Sequence, residues 1–143
     1  MYKHLLVVFG DSEIARRALA TAIELARRLS VSLRVLVVDG SIPTPIMVSA
    51  FSTSDARVME DAMAGEDRRN SALAQEAQAA ADAAGVTVDI EVVQGDEVAM
   101  IGEAVERCGC DLLIIGLRPH PGLVERLTRG VTDRVRCSVL AVR

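Results

Sequence analysis

Aromatic residues are nearly missing from this chain. It has no tryptophan, and its one tyrosine and two phenylalanines are Tyr2, Phe9 and Phe51. A core must therefore be built from Val, Leu, Ile and Ala. Modules that read single-stranded nucleic acid by stacking bases on aromatic rings are excluded. A basic surplus is missing too. Sixteen Lys and Arg against 20 Asp and Glu leave a formal charge of −4, the wrong sign for a nucleic-acid footprint. No apolar run approaches the roughly 20 residues that a membrane-spanning helix needs. The opening MYKHLLVVFGD has an apolar stretch too short for a secretory signal, and Gly10 and Asp11 end it, so a cytoplasmic location is expected.

Cysteine and histidine are scarce as well. Cys108, Cys110 and Cys137 are an odd set, which does not suggest a disulfide framework. The Cys-x-Cys spacing of the first two lacks the second pair that a structural zinc site needs. They read as small hydrophobes on either side of a helix-stopping glycine, with no metal. His4 opens the first apolar run and reads as structural. His120 reads as a solvated loop residue. Neither has a nucleophile or carboxylate beside it in sequence. No acid–base constellation results, and the chain is expected to be non-enzymatic, slow ATP hydrolysis aside.

What the chain does have is a regular alternation. Its 143 residues, half apolar and a quarter charged, suit one folded domain spanning 1–143. Leu5 to Phe9, Leu33 to Val38, Leu112 to Ile115 and Val139 to Val142 are short, almost purely apolar runs, the pattern of strands buried on both faces. Val86 to Val93 alternates instead and is expected nearer an edge. Between the runs lie helical patterns. The stretch 12–29 carries Ala15, Leu19, Ala22, Leu25, Ala26 and Leu29 on one stripe, with Asp11 or Ser12 as cap. The stretch 55–84 is a long Ala-rich helix stopped at Gly85. A third helix, 96–108, is capped by Asp96 and stopped at Gly109, and a fourth covers about 122–136. The order β-α-β-α-β-α-β-α-β predicts a three-layer α/β/α domain with five parallel strands and helices on both faces. One irregular stretch, 39–54, holds Ile42, Ile46, Met47, Val48 and Phe51. A loop of that length and character reads as a cover for a ligand cleft, as a subunit contact or as a docking site for a protein partner.

Ligands of open parallel sheets sit beyond the carboxyl ends of the strands. Four segments leave those ends: Gly10-Asp11-Ser12, 39–54, Gly95-Asp96-Glu97, and Gly116-Leu117-Arg118-Pro119-His120-Pro121-Gly122 with the helix that follows. Here a family resemblance becomes visible. YKHLLVVFGDSEIARRALATAIELA resembles the first strand and helix of the universal stress proteins. Val93-Gln94-Gly95-Asp96 resembles their turn after the third strand. CDLLIIGLRPHPGLVERLTRGVTDRVRCSVLAVR resembles their fourth strand, glycine loop, fourth helix and fifth strand. The resemblance runs end to end. It implies the strand order 3-2-1-4-5 of the adenine nucleotide alpha hydrolase-like fold and a homodimer through the last strand, Ser138, Val139, Leu140, Ala141 and Val142. In one branch of the family it implies ATP bound by the motif Gly-x2-Gly-x9-Gly-Ser/Thr.

The motif is altered here. Aligned without gaps, Gly116 matches its first glycine, but Pro119, Arg129 and Gly130 stand at its second glycine, third glycine and hydroxyl position. Gly10 falls where the family places an acidic residue against the adenosine, with Asp11 adjacent. Val37 matches the apolar position lining the adenine pocket. Val8, Gly122 and Val131 complete the set that the resemblance brings to the ligand. Glycine loops hold phosphate through backbone N–H groups and a helix N-terminus. Pro119 and Pro121 have no N–H, Arg129 adds bulk and Gly130 lacks the hydroxyl. Losing two or three hydrogen bonds of about 1.5–3 kcal/mol each weakens micromolar binding roughly a thousandfold. Two readings remain. The loop is a closed remnant that takes no cofactor, or Arg118 and Arg129 supply side-chain cations that hold ATP, another adenine nucleotide or a different anion.

Overall fold

Leu-Leu-Val-Val-Phe from Leu5 to Phe9 forms β1, hydrogen-bonded to a strand on either side. That placement is why the run is apolar on both faces. In the computed structural model, which describes residues 2–39, 55–117 and 137–143, β1 is followed by α1 (Glu13–Leu29), β2 (Leu33–Asp39), α2 (Asp55–Ala84), β3 (Val88–Gln94), α3 (Glu97–Cys108), β4 (Leu112–Gly116) and β5 (Ser138–Val142). The five strands form one sheet in the order β3-β2-β1-β4-β5, and every pair is parallel. The expected helix over 122–136 and the segment 40–54 lie outside the described residues.

Alternation along each strand divides the core in two. Leu5, Val7 and Phe9 of β1 pack with Leu33, Val35 and Val37 of β2, Leu112 and Ile114 of β4, α1, and Leu73, Ala77 and Ala81 of α2. On the other face, Leu6, Leu36, Leu113 and Ile115 meet Ile101, Ala104 and Val105 of α3, together with Cys110. The three-layer expectation and the strand order both hold. No described helix is long and apolar enough to cross a membrane.

Local chemistry sets the helix ends. Ser12, not Asp11, caps α1, its Oγ accepting from the Ala15 N–H at 3.1 Å. Asp96 does the same for α3 through the Ala99 N–H. Gly85 and Gly109 take φ of +70° and +61°, the left-handed conformation that ends a helix. At the end of α1 a serine does this work: Ser30 has φ 55° and ψ 44°, and its N–H bonds to the carbonyls of Ala26 and Arg27. Glu13 pairs with Arg17, and Glu24 with both Arg27 and Arg28. The two arginines pull the Glu24 carboxyl down to about 2.

Three details differ from the sequence reading. The third strand is Val88–Gln94 rather than 86–93, because Val86 is tied to the end of α2 by its N–H bond to Ala81. Asp39 belongs to β2 rather than to the loop. Val92 shares the apolar phase of the alternation with Val88 and Ile90, yet it is an exposed residue of the outer strand. It lines an open cleft with Asn70, Ser71, Ala74 and Gln94. The edge position itself is as the alternation predicted.

Candidate functional site

The sheet's connections set where a crevice opens. From β1 the chain runs through α1 to β2 on one side. From β4 it continues to β5 on the other. Such a reversal leaves a gap beyond the carboxyl ends of the two central strands. The ladder between β1 and β4 ends at Val7 and Ile114, although β1 runs on to Phe9 and β4 to Gly116. Phe9 stays paired with Val37 of β2, and Leu117 donates to the Val142 carbonyl of β5 at 2.7 Å. The two halves of the sheet therefore part at Gly10 on one side and Gly116 on the other.

The first turn of α1 fills part of that gap. A Cβ on Gly116 would lie 2.7 Å from Ile14 Cγ2 and 3.1 Å from the Ile14 carbonyl oxygen. The first is closer than side-chain carbons approach one another and the second is tight, so a side chain here would make α1 shift. The approach of α1 is thus one reason for a glycine at this position. At Gly10 a Cβ would meet no atom of the described residues within 4 Å.

Asp11, the acidic residue beside Gly10, reaches sideways. Its Oδ1 accepts from Arg16 at 3.0 Å, and Arg16 also holds Glu76 of α2 at 2.7 Å. The Glu76 hydrogen bond first and the Asp11 bond second raise the guanidinium pKa further. All three side chains are exposed. The pairs are therefore individually weak and leave Asp11 free to exchange Arg16 for another partner.

Of the other candidates, Val8 is half-buried against the α3 face of the sheet. Val37 is fully buried in the opposite core layer. It stands one position before Val38 and two before Asp39, near the carboxyl end of β2. Arg118, Pro119, Gly122, Arg129, Gly130 and Val131 lie outside the described residues, as do His120, Pro121 and Arg126. In β5, Val139 and Leu140 are 42% and 36% exposed, Ser138 and Ala141 are exposed, and Val142 is half-buried. Among the described residues, no three His, Cys, Asp or Glu side chains gather as a metal site.

One feature at this end of the sheet was missed in the sequence. Asp39 and Asn70 are 7% and 8% exposed, and Asn70 Nδ2 donates to Asp39 Oδ2 at 2.9 Å. The Asp39 carbonyl accepts from the Gly95 N–H at 3.0 Å. The end of β2, the middle of α2 and the turn after β3 are thereby locked together beside Val37. The available signal was an acid closing an otherwise apolar run, Leu-Arg-Val-Leu-Val-Val-Asp.

The opposite, amino end of the sheet is held by Asp111. Its carboxylate accepts from the backbone N–H groups of Lys3 and His4, its own N–H donates to the His4 carbonyl, and its carbonyl accepts from Ser138. The Tyr2 hydroxyl donates to Ser138 Oγ at 3.0 Å. His4 therefore serves β1 through its backbone, in keeping with a structural role.

Solved structures with this architecture place the chain. A protein of the universal stress protein family from Burkholderia pseudomallei is 29% identical, with a TM-score of 0.69 over 98% of this chain and 95% of that one. The universal stress protein UspA from Lactobacillus plantarum is 26% identical, with a TM-score of 0.69 over 99% and 98%. A universal stress protein family protein from Arabidopsis thaliana with AMP bound is 21% identical, with a TM-score of 0.64 over 98% and 90%. No curated protein matches the chain. The model of the Universal stress protein family matches residues 1–143, and the chain belongs to that family.

Proposed function

We propose that this chain is a non-enzymatic binding and signalling module of the cytoplasmic stress response, working as a symmetric dimer and not taking ATP through the family's usual glycine loop. The observation that carries this reading is β5. It is an edge strand that presents Val139 and Leu140 to solvent. An apolar edge left open invites uncontrolled strand pairing. Pairing it antiparallel with its own copy about a two-fold axis removes the hazard and gives an isologous interface. The substitutions Pro119, Arg129 and Gly130 support the second half of the reading, since they remove the donors and the space that a phosphate chain uses. Gly116 by itself does not separate the readings, because its close contact with Ile14 gives a steric reason for a glycine there as well. The 39–54 segment, with its large apolar side chains, is proposed to dock a protein partner.

A second reading is favoured by the parting of β1 and β4 at Gly10 and Gly116 and by the AMP carried by the Arabidopsis thaliana neighbour. In it the crevice takes an adenine nucleotide or a related anion, with Arg118 and Arg129 in place of the glycine-loop donors. Calorimetric titration with ATP, ADP, AMP and cyclic AMP separates the two. Absence of heat and of any thermal shift at millimolar nucleotide upholds the first. Saturable binding that weakens in Arg129→Ala upholds the second.

A further inference from the structure

Cys110 and Cys137 are 27 positions apart in the chain, yet their Sγ atoms lie 3.7 Å from each other. Cys110 precedes β4, is 6% exposed and packs in the α3-side core. Cys137 precedes β5 and is half-buried against the same cluster. Both are free thiols, and each sulfur also has a backbone carbonyl within hydrogen-bonding distance, Cys110 that of Leu112 and Cys137 that of Ser138. Cys108, nearer in sequence, ends α3 and makes no such contact among the described residues. The topology thus pairs Cys110 with the distant cysteine and not with its Cys-x-Cys neighbour.

We propose that Cys110 and Cys137 are a modification site, a thiol pair that a hydroperoxide converts to an intramolecular disulfide. A disulfide needs its sulfurs about 2.05 Å apart. The remaining closure is assigned to side-chain rotation at Cys137, which stands outside the ladder. Neither backbone is loose. The Cys110 N–H is bonded to Val105, and Ser138, next to Cys137, is bonded to Asp111.

The chemistry balances. The Cys137 thiolate attacks one peroxide oxygen, the O–O bond breaks, and the leaving hydroxide or alkoxide takes a proton. Cys137 is then a sulfenic acid. The Cys110 sulfur attacks that sulfur, the S–O bond breaks, and hydroxide leaves with the Cys110 proton as water. Each sulfur gives up one electron, and the two electrons reduce the peroxide.

Cys137 is assigned the first attack because it is the more exposed of the pair. The hydrogen bond between the two favours its ionisation and opposes that of Cys110. Burial pushes both thiols above the ordinary range. Oxidation is therefore slow at neutral pH and speeds up as pH rises. The product would close a covalent ring around residues 111–136, taking in the whole segment after β4 and ending one residue before β5. This inference does not depend on whether the crevice binds a nucleotide.

The test uses the full reduced chain, treated with hydrogen peroxide, quenched by alkylation and digested with trypsin without reduction. The expected result is a chain lighter by two hydrogens and a linked pair of peptides, 108–126 with 137–143. It should persist in Cys108→Ser and be absent in Cys137→Ser. Oxidation should also raise the thermal midpoint by roughly 5–15 °C, reversibly with dithiothreitol. A peptide linked through Cys108, disulfides only between chains, or Cys137 over-oxidised with Cys110 still a thiol would each overturn the proposal. The wild-type peptide map decides even if a variant fails to fold.

Discussion

Ile14 Cγ2 occupies the space that a side chain on Gly116 would need, 2.7 Å from the position of its Cβ. The first turn of α1 thus rests on the end of β4, where the backbone oxygen of Ile14 is also close. Overpacking at such a contact typically costs about 1–3 kcal/mol. Gly116→Ala should lose stability of that order in urea denaturation of the ligand-free protein. Gly10→Ala, whose added Cβ meets no described atom within 4 Å, should stay within about 0.5 kcal/mol of the parent. Equal losses at both glycines would mean that α1 does not seat on β4 as described.

The sheet was legible in the sequence because burial on both faces leaves a simple mark. The runs at Leu5, Leu33 and Leu112 have almost no polar residue to carry an alternation, and the alternating run of β3 indicated an edge. The helix stops were equally plain, because Gly85 and Gly109 sit at positive φ. Ser30 in the same conformation was not foreseen, since nothing marks a serine as left-handed except the backbone around it. The pairing of Asp39 with Asn70 was hidden because it spans 31 positions and its two members look like a loop residue and a surface helix residue. The proximity of Cys110 and Cys137 was hidden for a related reason. It depends on the lateral placement of two parallel strands, which local periodicity does not encode. Gly116 was marked by the motif, but its close contact with Ile14 of α1 was not legible, because it joins residues 102 positions apart.

Asp111 ties the N-terminal segment to β4 through the N–H groups of Lys3 and His4, at 2.8 and 3.0 Å. Burial pushes its carboxyl pKa up, but these N–H bonds outweigh it and hold the group below its ordinary 3.8. A carboxyl depressed by folding adds stability above its unfolded pKa and loses it as pH falls through the folded value. Asp111→Ala should therefore cost about 1 kcal/mol at pH 7, discounted for partial exposure. The difference from the parent should shrink as pH falls below 3.8. Denaturation curves at pH 7 and at pH 3 check this. A gap that is unchanged at the lower pH would show that the carboxylate charge is not the cause.

Ser30 closes α1 with φ 55°, a region that costs an L-residue about 1–2 kcal/mol. Its N–H already makes the capping bonds to Ala26 and Arg27, so a glycine would keep them and lose the strain. Part of the gain is returned through the greater freedom of glycine in the unfolded chain. Ser30→Gly should raise stability by about 0.5–1 kcal/mol and leave nucleotide titrations unchanged, because the position is at the end of α1 away from Gly116. Ser30→Val should destabilise, since branching at Cβ makes the same backbone harder to hold. Thermal midpoints of the two variants should therefore move in opposite directions.

Val139 and Leu140 bear on the dimer. Both stand on an edge strand whose other side is fully engaged, Val139 paired with Leu113 and Leu140 with Ile114 of β4. A lysine at either position puts charge on the free edge, which is how natural proteins stop strands from pairing. If two copies join through β5, each substitution enters the interface twice, because the two-fold axis repeats it. Leu140→Lys should then raise the dimer dissociation constant at least a hundredfold, the equivalent of roughly 3 kcal/mol, while the far-ultraviolet circular dichroism of the monomer stays that of the parent. Light scattering over a micromolar concentration series reads the change directly. A parent protein that is monomeric throughout that series would remove the dimer reading altogether. A parent and variant that remain dimeric alike would move the interface to another face of the domain.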